Sequence, residues 1–201
     1  MPTITLTEFF DFISATGMKR LEKVRKLKNR DGYAPQEDYY KRFREGVQSL
    51  HRTREDKAQF FRQLVAGVHP NKRLNYKRMA DGYKRFLGQN EVAWSRSHKR
   101  TWEHRELTVK LVPVWFLTIG GSKHIIKPHL SKTSLSRAKD KVALILFLMR
   151  HCAPPPGAST VVGMLDVGNS KLYRDGPTDP NVELVLRTEA DSFLGLYNAV
   201  V

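Results

Sequence analysis

Cysteine is nearly missing from this chain: Cys152 is the single one in 201 residues. An intramolecular disulfide is therefore excluded, which suits a reducing compartment. Long apolar runs are missing as well. The longest, Val142 to Met149, is eight residues, against the roughly 20 that a membrane-spanning helix needs. The N-terminus has no basic-then-apolar signal pattern, so the cytoplasm is the expected location and no membrane partner is expected. The chain has no Gly-x-x-x-x-Gly-Lys loop, no Gly-x-Gly-x-x-Gly turn and no Gly-x-Ser-x-Gly elbow. Nucleotide cradles and serine-hydrolase chemistry are thus unsupported, and no cofactor is expected. No His or Cys pair has zinc-finger spacing. His124 and His129 stand five apart, which on a strand puts them on opposite faces. No metal is expected, and no repeat of 20–50 residues marks a solenoid.

Carboxylates are scarce beside the cations. The chain has 35 Lys and Arg against 20 Asp and Glu, a formal net charge of +15 and a pI near 10.1. The excess is uneven. Residues 1–105 hold 24 Lys and Arg against 12 Asp and Glu, whereas residues 142–201 hold 4 against 6. Such a field attracts polyanions. The alternative is a basic globular domain whose charges are simply solvated.

The stretch from Leu107 to Cys152 organises the rest. Leu107, Val109 and Leu111 alternate with Thr108 and Lys110, the period of a strand with one buried face. Pro113 marks a break. Val114 to Ile119 reads as a more buried strand, Gly120-Gly121 as a hairpin turn, and Lys123 to Lys127 as a third strand. Ser136 to Cys152 reads as a helix apolar all round, hence buried on most sides.

Before this stretch the pattern is helical and basic. Thr5 and Glu8 form a capping box for a first helix with Phe9, Phe10, Phe12 and Ile13 inside, ended by Gly17. Lys19 to Lys28 is a second helix, and Pro35 is placed to open a third. Glu55 to Val68 is a fourth. His69-Pro70-Asn71 reads as a break, and Arg73 to Leu87 as a fifth helix stopped by Gly88. Residues 89–106 form a seam. After a proline-rich loop, Thr160 to Val167 and Lys171 to Arg174 read as a strand pair. A closing helix starts near Asp179-Pro180.

The expectation is an α+β protein. A basic helical region of about five helices, residues 1–90, precedes an α+β region, residues 91–201, with a mostly antiparallel sheet packed by two C-terminal helices. The two regions can also form one compact domain. Basic residues interleaved with aromatics are the strongest functional signal, because cations neutralise phosphates and rings stack on unpaired bases. The expected nucleic-acid face is Lys19, Arg20, Lys23, Lys26, Lys77, Arg78, Lys84, Arg85, Lys99 and Arg100. No base-reading helix is evident, so binding is expected to be sequence-tolerant, to DNA or RNA. A protein-interaction module is the alternative without nucleic acid. Catalytic residues are not expected.

Two resemblances add to this reading. The order helix, three strands, helix, strand over residues 74–167 resembles the core of the PD-(D/E)XK nucleases. That resemblance implies a divalent metal held by acids on the second and third strands, beside a lysine. Lys127 has a suitable position, but Ile125 stands where the motif needs an acid, and Asp166 lies on the later strand. Over nearly its whole length the chain also resembles a family of uncharacterised bacterial proteins. The motifs are Gly82-Tyr83-Lys84-Arg85-Phe86-Leu87-Gly88, His124-Ile125-Ile126-Lys127, Leu135-Ser136, Leu165-Asp166-Val167 and Lys171-Leu172. Those relatives carry Asn-Pro-Glu where this chain has Val112-Pro113-Val114.

Overall fold

The computed structural model describes residues 1–30, 38–53, 55–88, 90–95, 100–153, 160–177 and 179–200. A short strand β1 (Thr3–Thr5) leads into α1 (Leu6–Ile13) and α2 (Met18–Lys28). Then come α3 (Lys41–Thr53), α4 (Lys57–Ala66) and α5 (Pro70–Leu87). Strands β2 (Val92–Trp94), β3 (Thr101–His104), β4 (Leu107–Lys110), β5 (Trp115–Ile119) and β6 (Ser122–His129) follow. After a 3-10 turn at Leu135–Arg137 the chain forms α6 (Lys139–His151), β7 (Thr160–Asp166), β8 (Lys171–Arg174) and α7 (Val182–Ala199). The fold is α+β, with five helices ahead of the main sheet.

Local chemistry sets several of these boundaries. The capping box is present: the Glu8 N–H donates to Thr5 Oγ1 (3.2 Å) and the Thr5 N–H to Glu8 Oε2 (2.6 Å). α1 stops at Ile13, and Gly17 is the residue before α2 rather than the end of α1. Pro70 is not a break. It opens α5, because the first helical position has no use for an N–H. α6 is preceded by a separate 3-10 turn instead of running unbroken from Ser136. The expected start of the third helix at Pro35 lies outside the described residues.

The strands form two sheets. The larger has the order β2-β5-β6-β7-β8, with β6 and β7 parallel and its other pairs antiparallel. α6 makes the crossover between β6 and β7. The smaller sheet is β1-β4-β3, in which β1 runs parallel to β4. Strands β4 and β5, adjacent in sequence, therefore belong to different sheets. The sheets are mixed, with one parallel pair in each. Gly120 and Gly121, both at positive φ (54° and 80°), make the tight β5–β6 hairpin.

The five-stranded sheet separates two cores, because strand side chains alternate between faces. One face (Ile125, Val162, Met164) packs under α1, α6 and α7, with Phe9, Phe12, Ile145 and Phe193. The other (Trp115, Leu117, Ile126, Leu165) packs under α3, α4 and α5, with Phe43, Phe61, Tyr76 and Tyr83. Each core draws on residues from both sides of residue 90. α5 sits directly on the end of β7. A Cβ at Gly82 would stand 1.9 Å from the Val167 carbonyl oxygen, so only glycine allows that approach.

Candidate functional site

The main sheet parts at one end. β6 pairs with β7 from Lys123 to His129, but its pairing with β5 stops at Trp115↔Ile126. The chain before Trp115 leaves for the other sheet, so Lys127, Pro128 and His129 have an open side. Lys127 shares the strand face of Ile125 and points toward α1. Its Nζ donates to Thr7 Oγ1 (2.7 Å) and to the Pro128 carbonyl (3.4 Å). Thr7 stands in the first turn that the capping box holds.

Lys127 is only 3% exposed. Burial lowers its pKa from 10.5 to about 8; the nearby Asp11 carboxylate opposes that shift and Arg44 adds to it. His129, two residues on, packs its ring edge-on to Phe10 at 5.8 Å and donates from Nε2 to the Thr133 carbonyl (2.8 Å). Burial lowers its pKa too. Burial raises the Asp11 carboxyl, against the pull of Lys23, Lys127 and His129. Asp11 is exposed as a residue, so water screens much of that effect. Across the opening, burial raises the Tyr40 hydroxyl, which bonds to Asn75 and feels both Arg78 and Asp11. Arg44 grips Asp38 through two bonds of 3.1 and 2.5 Å. The end of the parted strands thus gathers polar groups from both layers around a buried amine.

The donor set of this cluster does not fit a divalent metal of the nuclease type. Ile125 stands at the strand position that would need an acid. Asp166 is 1% exposed, and its oxygens accept from the Leu135 N–H, the Asn169 N–H and Asn169 Nδ2. It ties the turn after β7 to the 3-10 turn. Glu8 serves the capping box and pairs with Arg30. Among the described residues no group of three or more His, Cys, Asp and Glu is placed to hold an ion.

The ten residues expected on a nucleic-acid face are distributed over both layers. Lys19, Arg20, Lys23 and Lys26 are on α2, on the layer of α1 and α7. Lys77, Arg78, Lys84 and Arg85 are on α5, on the opposite layer. Lys99 lies outside the described residues. Several of these cations hold the fold. Arg78 donates to Asn75 Oδ1 (3.2 Å) and to the Leu130 and Ser131 carbonyls (3.3 and 3.0 Å). Arg85 reaches the Gly168 carbonyl (3.4 Å), and Arg100 donates to that of Cys152. Arg20 lies over the Phe12 ring and pairs with Glu189 (2.8 Å). Lys77 and Lys84 share Asp81 (3.1 and 2.9 Å), whose carboxyl they hold below its ordinary pKa.

Lys19, Lys23 and Lys26 differ. They stand at i, i+4 and i+7, away from buried Val24, and so form one ridge. None makes a close ion pair with a carboxylate of the described residues. Lys23 acts on Asp11 at longer range, so the ridge runs toward the Lys127 cluster. Thr7, Asp11, Tyr40 and Asn75 were not singled out from the sequence as site residues. Their elements lie far apart in the chain, and no spacing signals that they meet. A cavity of about 820 Å³ lies elsewhere, between the end of α3 and β2. It is lined by both signs of charge, including Glu55, Glu91, Arg52 and Lys57.

Compared with known protein families and with curated proteins, the chain has no match.

Proposed function

We propose that this protein is a sequence-tolerant nucleic-acid-binding module whose phosphate contacts lie along α2. One observation carries the reading: Lys19, Lys23 and Lys26 form a single ridge with no close ion pair among the described residues, Lys23 acting on Asp11 only at longer range. Arg25 flanks it, exposed. At 1.5 Å per residue the ridge spans about 10 Å, room for about three phosphates at 3.4 Å of axial rise per nucleotide. A helix with cations at this spacing contacts the backbone and carries no base code.

Fluorescence anisotropy with labelled DNA and RNA, titrated with salt, tests this. Wild type should bind at low salt, with a log–log slope of about −3 on duplex DNA if three phosphates are neutralised. K19E/K23E/K26E should bind at least tenfold more weakly. K77E/K84E should matter less, because those lysines already share Asp81. No binding by wild type at low salt, or equal binding by the α2 variant, overturns the proposal. The nuclease-like order of elements around Lys127 supports a nucleic-acid partner as well, but the donor set at that position supports no metal step.

A further inference from the structure

A second opening lies on the far face of the main sheet, away from α1 and α2. An open cavity of about 300 Å³ lies between the C-terminal end of α5, the β5–β6 hairpin and β8. Arg85, Arg174, His124 and Ser170 line it, with Phe86 and Leu172 as apolar wall. No carboxylate lines it among the described residues. Phe86 and Leu172 rest on the α3–α5 core, which fixes that wall.

Arg174 is free to serve a ligand among the described residues, and Arg85 and His124 keep polar atoms beyond the one bond each makes. Arg174 makes no ion pair or hydrogen bond through its side chain to a described residue, and Arg85 makes one long bond of 3.4 Å. His124 is 8% exposed, and its Nδ1–H donates to the Ser122 carbonyl at 2.9 Å. That bond sets the tautomer and leaves Nε2 as the ring's other polar atom. The carbonyls ending α5 disfavour an anion here. Arg85, in that last turn, offsets them, and Arg174 adds a second full charge. Guanidinium forks match the oxygens of a phosphate, and an aromatic wall suits a flat body. The volume is at the lower end of the range for small-ligand sites, roughly 300–1,000 Å³.

We infer that this cavity binds a phosphate monoester joined to a flat, largely apolar body, of the size of one nucleotide. The same chemistry occurs in a free mononucleotide and at the phosphorylated end of a strand. Calorimetric titration of the full chain separates them. The titrants are AMP, UMP, adenosine, and a short oligonucleotide with and without a 5′-phosphate. Each phosphorylated ligand that binds should do so at least tenfold more tightly than its unphosphorylated form. R174E, on an exposed strand end, and R85Q should each lose at least tenfold. Binding of the oligonucleotide alone makes the site a reader of strand ends; binding of AMP or UMP makes it a mononucleotide site. Equal affinity with and without phosphate, or unchanged affinity in R174E, overturns the inference. K19E/K23E/K26E is the control. It should keep its affinity for AMP or UMP, and an equal loss there would move the phosphate to α2 and refute the cavity.

Discussion

Helices α2 and α5 carry six basic residues each. α5 spends its arginines on carbonyls. Arg73 reaches Val68 and Ala66, Arg78 reaches Leu130 and Ser131, and Arg85 reaches Gly168. Its lysines are engaged too: Lys77 and Lys84 with Asp81, and Lys72 over the Tyr39 ring. Among the described residues of α2, only Arg20 and Lys28 are tied in this way, Lys28 to the Tyr197 and Val200 carbonyls. Composition does not make the difference, since α5 holds three arginines and α2 two. What each helix packs against does. α5 lies against loop ends whose carbonyls its cations reach, and it acts as a structural clamp. The outer lysine ridge of α2 lies away from its packed side and is a surface available to a partner.

The hardest test of the clamp is Gly82→Ala. The new Cβ would lie 1.9 Å from the Val167 oxygen and within 3.0 Å of the Gly168 backbone, neither of which is a flexible side-chain end. The expected loss is about 3 kcal/mol or more, from forced separation of α5 and β7. Gly46→Ala is the internal comparison, since its Cβ would meet side chains alone, the Leu64 methyl groups at 3.1 Å and the Phe60 ring at 3.6 Å. Urea denaturation at neutral pH measures both. Similar small losses would mean that α5 is not clamped to the sheet.

The second test concerns the lysine that belongs to neither class, Lys127, buried between α1 and β6. Its folded pKa is about 8 against 10.5 for the free side chain. Between those values the unfolded chain holds one more proton than the folded one, so wild-type stability rises from pH 8 to 10.5. Below pH 8 the buried charge costs about 3 kcal/mol at most. Lys127→Met removes that cost and gives up the bond to Thr7, about 1 kcal/mol. The variant should be more stable than wild type at pH 7, by about 2 kcal/mol, and the gain should vanish by about pH 10.5. Denaturation midpoints at pH 7, 9 and 10.5 show whether the difference follows this course. A gain that ignores pH would remove the buried charge from the account.

Much of the fold is legible in the sequence, and the reasons are local. Thr5 and Glu8 announce α1, Gly120-Gly121 the β5–β6 turn, and the apolar run from Val142 the buried helix α6. The errors are local as well. Pro70 suggests a break, because proline interrupts helices, yet at a first helical position it begins one. Which strands share a sheet was not legible: no residue between Leu111 and Trp115 tells that β4 leaves the sheet that β5 enters. The polar cluster is hidden for the same reason. Lys127 stands out in the sequence, but its burial depends on α1, where its partner Thr7 lies 120 residues earlier, and Asp11 reads as one polar position in an apolar helix. Nor does composition separate the clamp of α5 from the ridge of α2, because only a fold shows where loop carbonyls end.

The smallest expected effect is also the sharpest test of that separation: Lys19, Lys23 and Lys26 changed together to Gln. Three small terms act on α2. Lys19 and Lys23, four residues apart, repel each other, and removing that repulsion favours the helix by a few tenths of a kcal/mol. Lys19 lies in the first turn, where the positive end of the helix dipole disfavours a cation, and Gln relieves this as well. Lys26 lies in the last turn, where a cation is favoured, and its loss opposes the other two. Glutamine is about as good a helix former as lysine, so propensity adds little. The sum should be within about 0.5 kcal/mol of zero, as for substitutions on a solvated face. Arg78→Gln on α5 gives up bonds to the Leu130 and Ser131 carbonyls and should cost about 2 kcal/mol. Chemical denaturation of both variants, side by side, measures the contrast. If the triple variant loses as much as Arg78→Gln, the α2 lysines are part of the clamp, and a free phosphate-binding ridge is the wrong description of that helix.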